Sequence, residues 1–256
     1  MPCVEEQTRF SIKNILLATV CSERSEAILS YAVRLARHYG SKMSLAGAVS
    51  ARTICEIVKN AQIDFVVVGT QAQESRKSDL DTAVKETLRI VPCPMLIIGP
   101  RVTQAELTKE ELERIVYVTD CTLSSLRGLP YTLALAQDHN AQLNFVHVPE
   151  ETTMGPFHFG SSRIVAFRKR LESLVAQGKS LLQESEFNVQ EGDRAERLVR
   201  IASNLHASLV VMTAPVTSET SAPLLGALGV QVLRLALCPV LIVRGSASQH
   251  SRRQAP

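Results

Sequence analysis

Tryptophan is absent from this 256-residue chain, and aromatic residues make up only 4% of it. A base-stacking platform for single-stranded nucleic acid is therefore not expected. Charge of one sign is also lacking: the net charge is +3, too mild for an electrostatic footprint on nucleic acid. No long hydrophobic run exists. Stretches such as Phe65-Val66-Val67-Val68 and Met95-Leu96-Ile97-Ile98 are strand-length, far below the roughly 20 residues of a membrane span. The first residues carry Glu5 and Glu6 and no apolar segment, so a secretory signal is not expected. The six cysteines, at 3, 21, 55, 93, 121 and 238, form no Cys-x-x-Cys pair. That spacing fits neither a disulfide framework nor a zinc site and points to a reducing, cytoplasmic setting.

What the sequence does contain is a repeat. Residues 14–48 align with 114–148 at an offset of 100 without a gap. Ile15, Thr19, Cys21, Ser25, Leu29, Tyr31, Leu35 and Ala36 meet identical residues at 115, 119, 121, 125, 129, 131, 135 and 136. A second match runs at offset 145, where Cys93-Pro94-Met95-Leu96-Ile97-Ile98 pairs with Cys238-Pro239-Val240-Leu241-Ile242-Val243. The second copy therefore holds 45 more residues than the first, between Val148 and about Gly192. That surplus is about one helix, one strand and their loops.

Periodicity predicts alternating strands and helices. Ile15–Ala18 reads as a strand covered on both faces. The stripe Ala27, Ile28, Tyr31, Ala32, Leu35, Ala36 reads as a helix, with Ser22 or Ser25 as its cap and Gly40 ending it. Met43–Val49 is the second strand. A helix over 51–61, a strand at Phe65–Val68, a helix around Ala83–Val91 and a strand at Met95–Ile98 complete the first copy. A short helix is expected over Gln104–Glu113 in the linker. The second copy repeats this order and adds a long helix over Ser161–Glu184 and a strand at Phe187–Glu191. Arg163, Arg168, Lys169, Arg170 and Lys179 on that helix read as a solvated face. Gly128 and Pro130 predict a late start or kink in the first helix of the second copy. The fold class is α/β, with two tandem doubly wound parallel sheets.

These pieces in this order resemble the universal stress protein family. The resemblance rests on Ile15–Thr19, Ser25–Ala36, Tyr39-Gly40-Ser41-Lys42, Asp64–Thr70 and Pro92–Ile98 in the first copy. In the second it rests on Val116–Asp120, Glu191–Glu196 and Leu237–Val243. It implies units at 11–99 and 113–245, a Rossmann-like sheet of strand order 3-2-1-4-5, and a first unit lacking the edge strand and one helix. It also implies pairing of the two copies through their last strands, as an internal pseudo-dimer.

The nucleotide-binding branch of that family holds adenosine with an acid after strand 1. It holds phosphate with a loop of pattern Gly-two-Gly-nine-Gly-Ser/Thr after strand 4. Bare glycine backbone lets N–H groups approach phosphate oxygens. The first copy departs from this: Val20 replaces the acid, Ala72 the second glycine, and Asp81 or Thr82 the third. Glu74 and Asp79 add repulsion. The second copy keeps Asp120 and Gly226 but has Thr213, Val216 and Ala227 at the other loop positions, with Pro215 and Pro223 nearby. The candidate cleft is thus Val118, Thr119, Asp120, Thr213, Val216, Gly226 and Ala227. The expectation is a non-enzymatic stress-response protein that binds a partner or small ligand and needs no cofactor or metal. The alternative is an ATP or AMP sensor, or slow ATP hydrolase, using the second unit.

Cys21 and Cys121 could also serve a redox-responsive scaffold, although both suit small core or turn positions. His139 and His147 lack metal-ligand spacing. The apolar loop around His158, within residues 149–160, is a candidate lid or contact patch. The partner is an unidentified protein or a second copy, with neither nucleic acid nor membrane expected.

Overall fold

Successive residues of the first strand face opposite ways, and the alternation builds two cores. Ile15 and Leu17 pack on one face, Leu16 and Ala18 on the other, all buried. The computed structural model describes residues 11–19, 24–47, 50–70, 79–109, 111–119, 125–147, 165, 169, 187–189, 193–214 and 227–244. Among these, the strands are β1 (Asn14–Thr19), β2 (Lys42–Ala46), β3 (Phe65–Gly69), β4 (Met95–Ile98), β5 (Arg114–Val118), β6 (Gln142–His147), β7 (Phe187–Val189), β8 (Leu209–Ala214) and β9 (Val240–Arg244). The α-helices are α1 (Ser25–Tyr39), α2 (Ala51–Asn60), α3 (Asp79–Ile90), α4 (Gln104–Thr108), α5 (Leu129–Asp138), α6 (Arg194–Asn204) and α7 (Ala227–Leu235).

All nine strands form one sheet of order β2-β1-β3-β4-β9-β8-β5-β6-β7. Each half is parallel, and the halves join where β4 meets β9 antiparallel, Met95 opposite Ile242 and Ile97 opposite Val240. Neither apolar last strand is left as an edge. The second half shows the order 3-2-1-4-5, and the first shows the same order without its third strand. The pseudo-dimer expected from sequence is therefore present. Helices α2, α3, α6 and α7 cover one face, through Ile54, Val58, Leu88, Leu198 and Val232. Helices α1, α4 and α5 cover the other, through Ile28, Leu35, Leu107 and Leu135.

The repeat extends to backbone detail. Gly40 and Asn140 both adopt the left-handed conformation, at φ 63° and 49°. There the next N–H turns back to the helix, Ser41 to the Ala36 carbonyl and Ala141 to Ala136. The two Cys-Pro steps present the Pro94 and Pro239 carbonyls to the N–H groups of Val66 and Val210, each at 3.1 Å.

Three sequence expectations need correction. Helix α1 begins at Ser25 itself, and Arg24 occupies the cap without a side-chain hydrogen bond. The Arg24 guanidinium instead donates to the Gly99, Pro100 and Val102 carbonyls of the linker. Strand β2 ends at Ala46 rather than Val49. Helix α4 stops at Thr108, because Lys109 is extended, and Arg34 of α1 donates to the Leu107 and Lys109 carbonyls there. The long helix at 161–184 falls almost wholly outside the described residues, where only Val165 and Lys169 are seen as helical.

Candidate functional site

In a doubly wound sheet the cleft forms beyond the carboxyl ends of strands, where the strand order reverses. In the second half that place is between β5 and β8. Their last register pair is Tyr117 with Val211, and two residues beyond stand Thr119 and Thr213. Thr119 donates its N–H to the Val146 carbonyl. The Nδ1–H of His147, at the end of β6, donates to the Thr119 carbonyl at 2.9 Å.

Helix α5 is entered over this spot. Residues Ser125–Gly128 make a 3-10 turn, and Leu129 and Pro130 open the α-helix. The awkward Gly128 and Pro130 thus produce a late start, with proline in the first turn where its missing N–H costs nothing. The turn presses on the sheet. A Cβ at Gly128 would lie 2.6 Å from Thr213 Oγ1 and 3.1 Å from the Tyr117 hydroxyl. Glycine is required here by close approach.

A hydroxyl network results. Thr119 Oγ1 and Ser125 Oγ are 2.8 Å apart, both buried. The Tyr117 hydroxyl donates to the Ser125 carbonyl and lies 2.9 Å from Thr213 Oγ1. Tyrosine has one hydroxyl proton, and it is used on Ser125. Thr213 Oγ1 also lies 3.3 Å from the Ser125 carbonyl, to which it donates, so the two hydroxyls and that carbonyl form a closed triangle. The Thr213 hydroxyl is thus engaged inside the protein, by Tyr117 and by the Ser125 carbonyl.

The structure thus brings Thr119 and Thr213 together through Ser125. Val118 is half-buried against the opposite core, and Ala227 is exposed at the first position of α7. Asp120, Val216 and Gly226 lie outside the described residues, as do Val20, Cys21, Ala72, Glu74, Cys121 and the 149–160 loop with His158. Tyr117, Ser125, Gly128 and His147 were not foreseen as one cluster. Ser125 is among the repeated identities, which was the available signal; the Tyr117 contact had none, since its counterpart is Leu17.

His147 aims Nδ1 at a backbone carbonyl rather than at Ser125 or Thr119, so a Ser-His nucleophile is not assembled through that nitrogen. At the first loop position a β-branched side chain stands where a phosphate cradle needs bare backbone, and this residue does not fit that role. In the first half, Thr70 turns inward, donating its hydroxyl to the Ile98 carbonyl at 2.9 Å. Cys93 and Cys238 precede the two central strands; burial pushes each thiol up to about 12 and leaves it unreactive near neutrality. Among the described residues no group of three or more His, Cys, Asp or Glu side chains could hold a metal, and no helix could cross a membrane.

A family model for the universal stress protein family matches residues 111–244, just over half of the chain. A universal stress protein from Archaeoglobus fulgidus DSM 4304 superposes with a TM-score of 0.67 at 15% identity, covering 94% of this chain and 99% of that one. A functionally unknown protein from Pseudomonas aeruginosa PAO1 superposes with a TM-score of 0.61 at 15% identity, covering 91% and 93%. At such identities the likeness is one of fold. No functionally curated protein matches the sequence.

Proposed function

The chain belongs to the universal stress protein family, and from that premise we propose that it is a non-enzymatic stress-response protein of two units, 11–99 and 113–245. It acts by binding a partner or small ligand, and its recognition cleft is in the second unit, between Thr119, which Asp120 follows in the sequence, and Thr213. The observation that supports weak rather than tight nucleotide binding is the inward-turned Thr213 hydroxyl, bonded to Tyr117 at 2.9 Å. In the sequence, Val216 and Ala227 stand at two further positions of the expected phosphate motif and supply neither bare glycine backbone nor a hydroxyl there. Losing two or three charge-assisted bonds, each worth about 1.5–3 kcal/mol, raises a dissociation constant by two orders of magnitude or more.

Calorimetric titration with ATP and magnesium tests this. The expected outcome is no binding tighter than about 100 μM. A micromolar Kd that Asp120→Ala abolishes would overturn the reading and establish the nucleotide sensor in its place.

A further inference from the structure

We propose that a second copy of this chain docks on the outer edge of β2, strand against antiparallel strand about a two-fold axis at Ser44, and so joins two nine-stranded sheets edge to edge.

Strand β2 is the last of the sheet on its side, and no strand among the described residues meets its outer edge. Its counterpart in the repeat, β6, is met by β7, with Phe145 opposite Phe187. The two strands correspond residue for residue at offset 100, Met43 with Leu143 and Leu45 with Phe145. In the second half both residues are fully buried, at 0% exposure. In the first half Met43 is half-buried and Leu45 is 62% exposed. Among the described residues the first half has no counterpart of β7, but it keeps apolar side chains at these two positions.

The backbone direction follows from one hydrogen bond. Lys42 donates its N–H inward to the Lys13 carbonyl at 2.8 Å. Backbone groups alternate sides along a strand, so Ser44 and Ala46 also face β1. Met43 and Leu45 turn their N–H and C=O groups out from the edge, which is the template an incoming strand uses.

An antiparallel partner centred on Ser44 places Met43 of one copy opposite Leu45 of the other, twice. Both are outward-facing residues, so each pair exchanges two N–H···O bonds. Their side chains share one face and form a cluster of four apolar groups across the axis. Lys42 falls opposite Ala46, and no like charges meet. Centring on Met43 would leave Leu45 beyond any apolar partner, and centring on Lys42 would oppose two lysines. Of the registers available, the one centred on Ser44 gives two apolar pairs and no like-charge contact, as an isologous interface requires.

Sedimentation equilibrium of the full chain over a wide concentration series tests the proposal. The wild type is expected to dimerise. Leu45→Lys at an exposed position and Met43→Glu at a half-buried one, each checked for retained fold by circular dichroism, are each expected to weaken the dimer by about tenfold or more. Mixing the two variants is expected to restore association, because the introduced lysine then faces the introduced glutamate. A wild type monomeric at every concentration overturns the proposal. So does a dimer that neither variant weakens, or a mixture that fails to recover.

Discussion

The two halves of the sheet repeat one order of strands and helices and differ most at their outer rims. In the second half, β6 lies inside the sheet and β7 closes it; in the first, the corresponding β2 is itself the edge. The inner rims differ less, since β4 and β9 cover one another. A doubly wound unit therefore tolerates loss of its outermost strand, because β1, β3 and β4 pair without it. Its last strand, by contrast, is paired in both halves, β4 with β9. The difference teaches that the inner rims are closed by pairing with each other, whereas the outer rim of the first half is left open among the described residues.

The comparison is broken most forcefully at Phe145 and Leu45, equivalent residues in opposite surroundings. Phe145 is fully buried and packs edge-on to Tyr117, with ring centroids 5.8 Å apart. Phe145→Ala is expected to cost about 3–5 kcal/mol of unfolding free energy. Leu45→Ala, at 62% exposure, is expected to change it by no more than about 0.5 kcal/mol at protein concentrations low enough to keep the chain monomeric. Urea denaturation of both variants measures the difference. Equal losses would mean that the two strands are equivalent after all.

A smaller effect is expected where the halves meet. Gly99 and Arg244 correspond at offset 145 and follow β4 and end β9. Arg244 reaches across and donates to the Val91 and Arg89 carbonyls at 2.7 and 2.8 Å, at the end of α3. Gly99 does the reverse by closeness alone: a Cβ there would stand 2.4 Å from the Leu233 carbonyl oxygen of α7. Gly99→Ala forces backbone apart and is expected to cost about 2–3 kcal/mol. Arg244→Ala loses two partly solvated bonds and is expected to cost about 1–2 kcal/mol. Thermal unfolding followed by circular dichroism ranks the two; a neutral Gly99→Ala would sink the claim of close approach.

Much of this architecture was legible because the chain states it twice. The offset change from 100 to 145 located the extra strand, and the repeated Cys-Pro steps located both central strands, since each proline carbonyl serves the neighbouring strand. The candidate site was legible only as positions along the chain. Thr213 could be aligned with the first loop residue, but the direction of its hydroxyl depends on Tyr117, 96 residues earlier. Gly128 looked like a helix fault and is instead a point of contact with β8. Periodicity reports which face of an element is apolar, and it does not report which turn from elsewhere presses on that element's end.

The smallest expected effect belongs to a third pair of counterparts, Tyr39 and His139, which meet each other. The Tyr39 hydroxyl and His139 Nε2 are 3.1 Å apart, and the His38 ring stacks on His139 with centroids at 4.2 Å. Burial, and then the neighbouring His38, push His139 from the usual 6.5 down to about 4. The folded protein thus holds His139 neutral where the unfolded chain would bind a proton. Between pH 6.5 and 4 the unfolded state carries more protons, so stability is fully present above about 6.5 and declines as the pH falls toward 4. His139 is half-buried, so solvent screening leaves only a part of that linkage. His139→Gln keeps a polar group beside Tyr39 and removes the titration. It is expected to flatten the loss of stability across that window while changing stability little at neutral pH. Chemical denaturation at a series of pH values would show it, and an unchanged slope in the variant would mean that the contact between the two helix ends is not where the acid sensitivity resides.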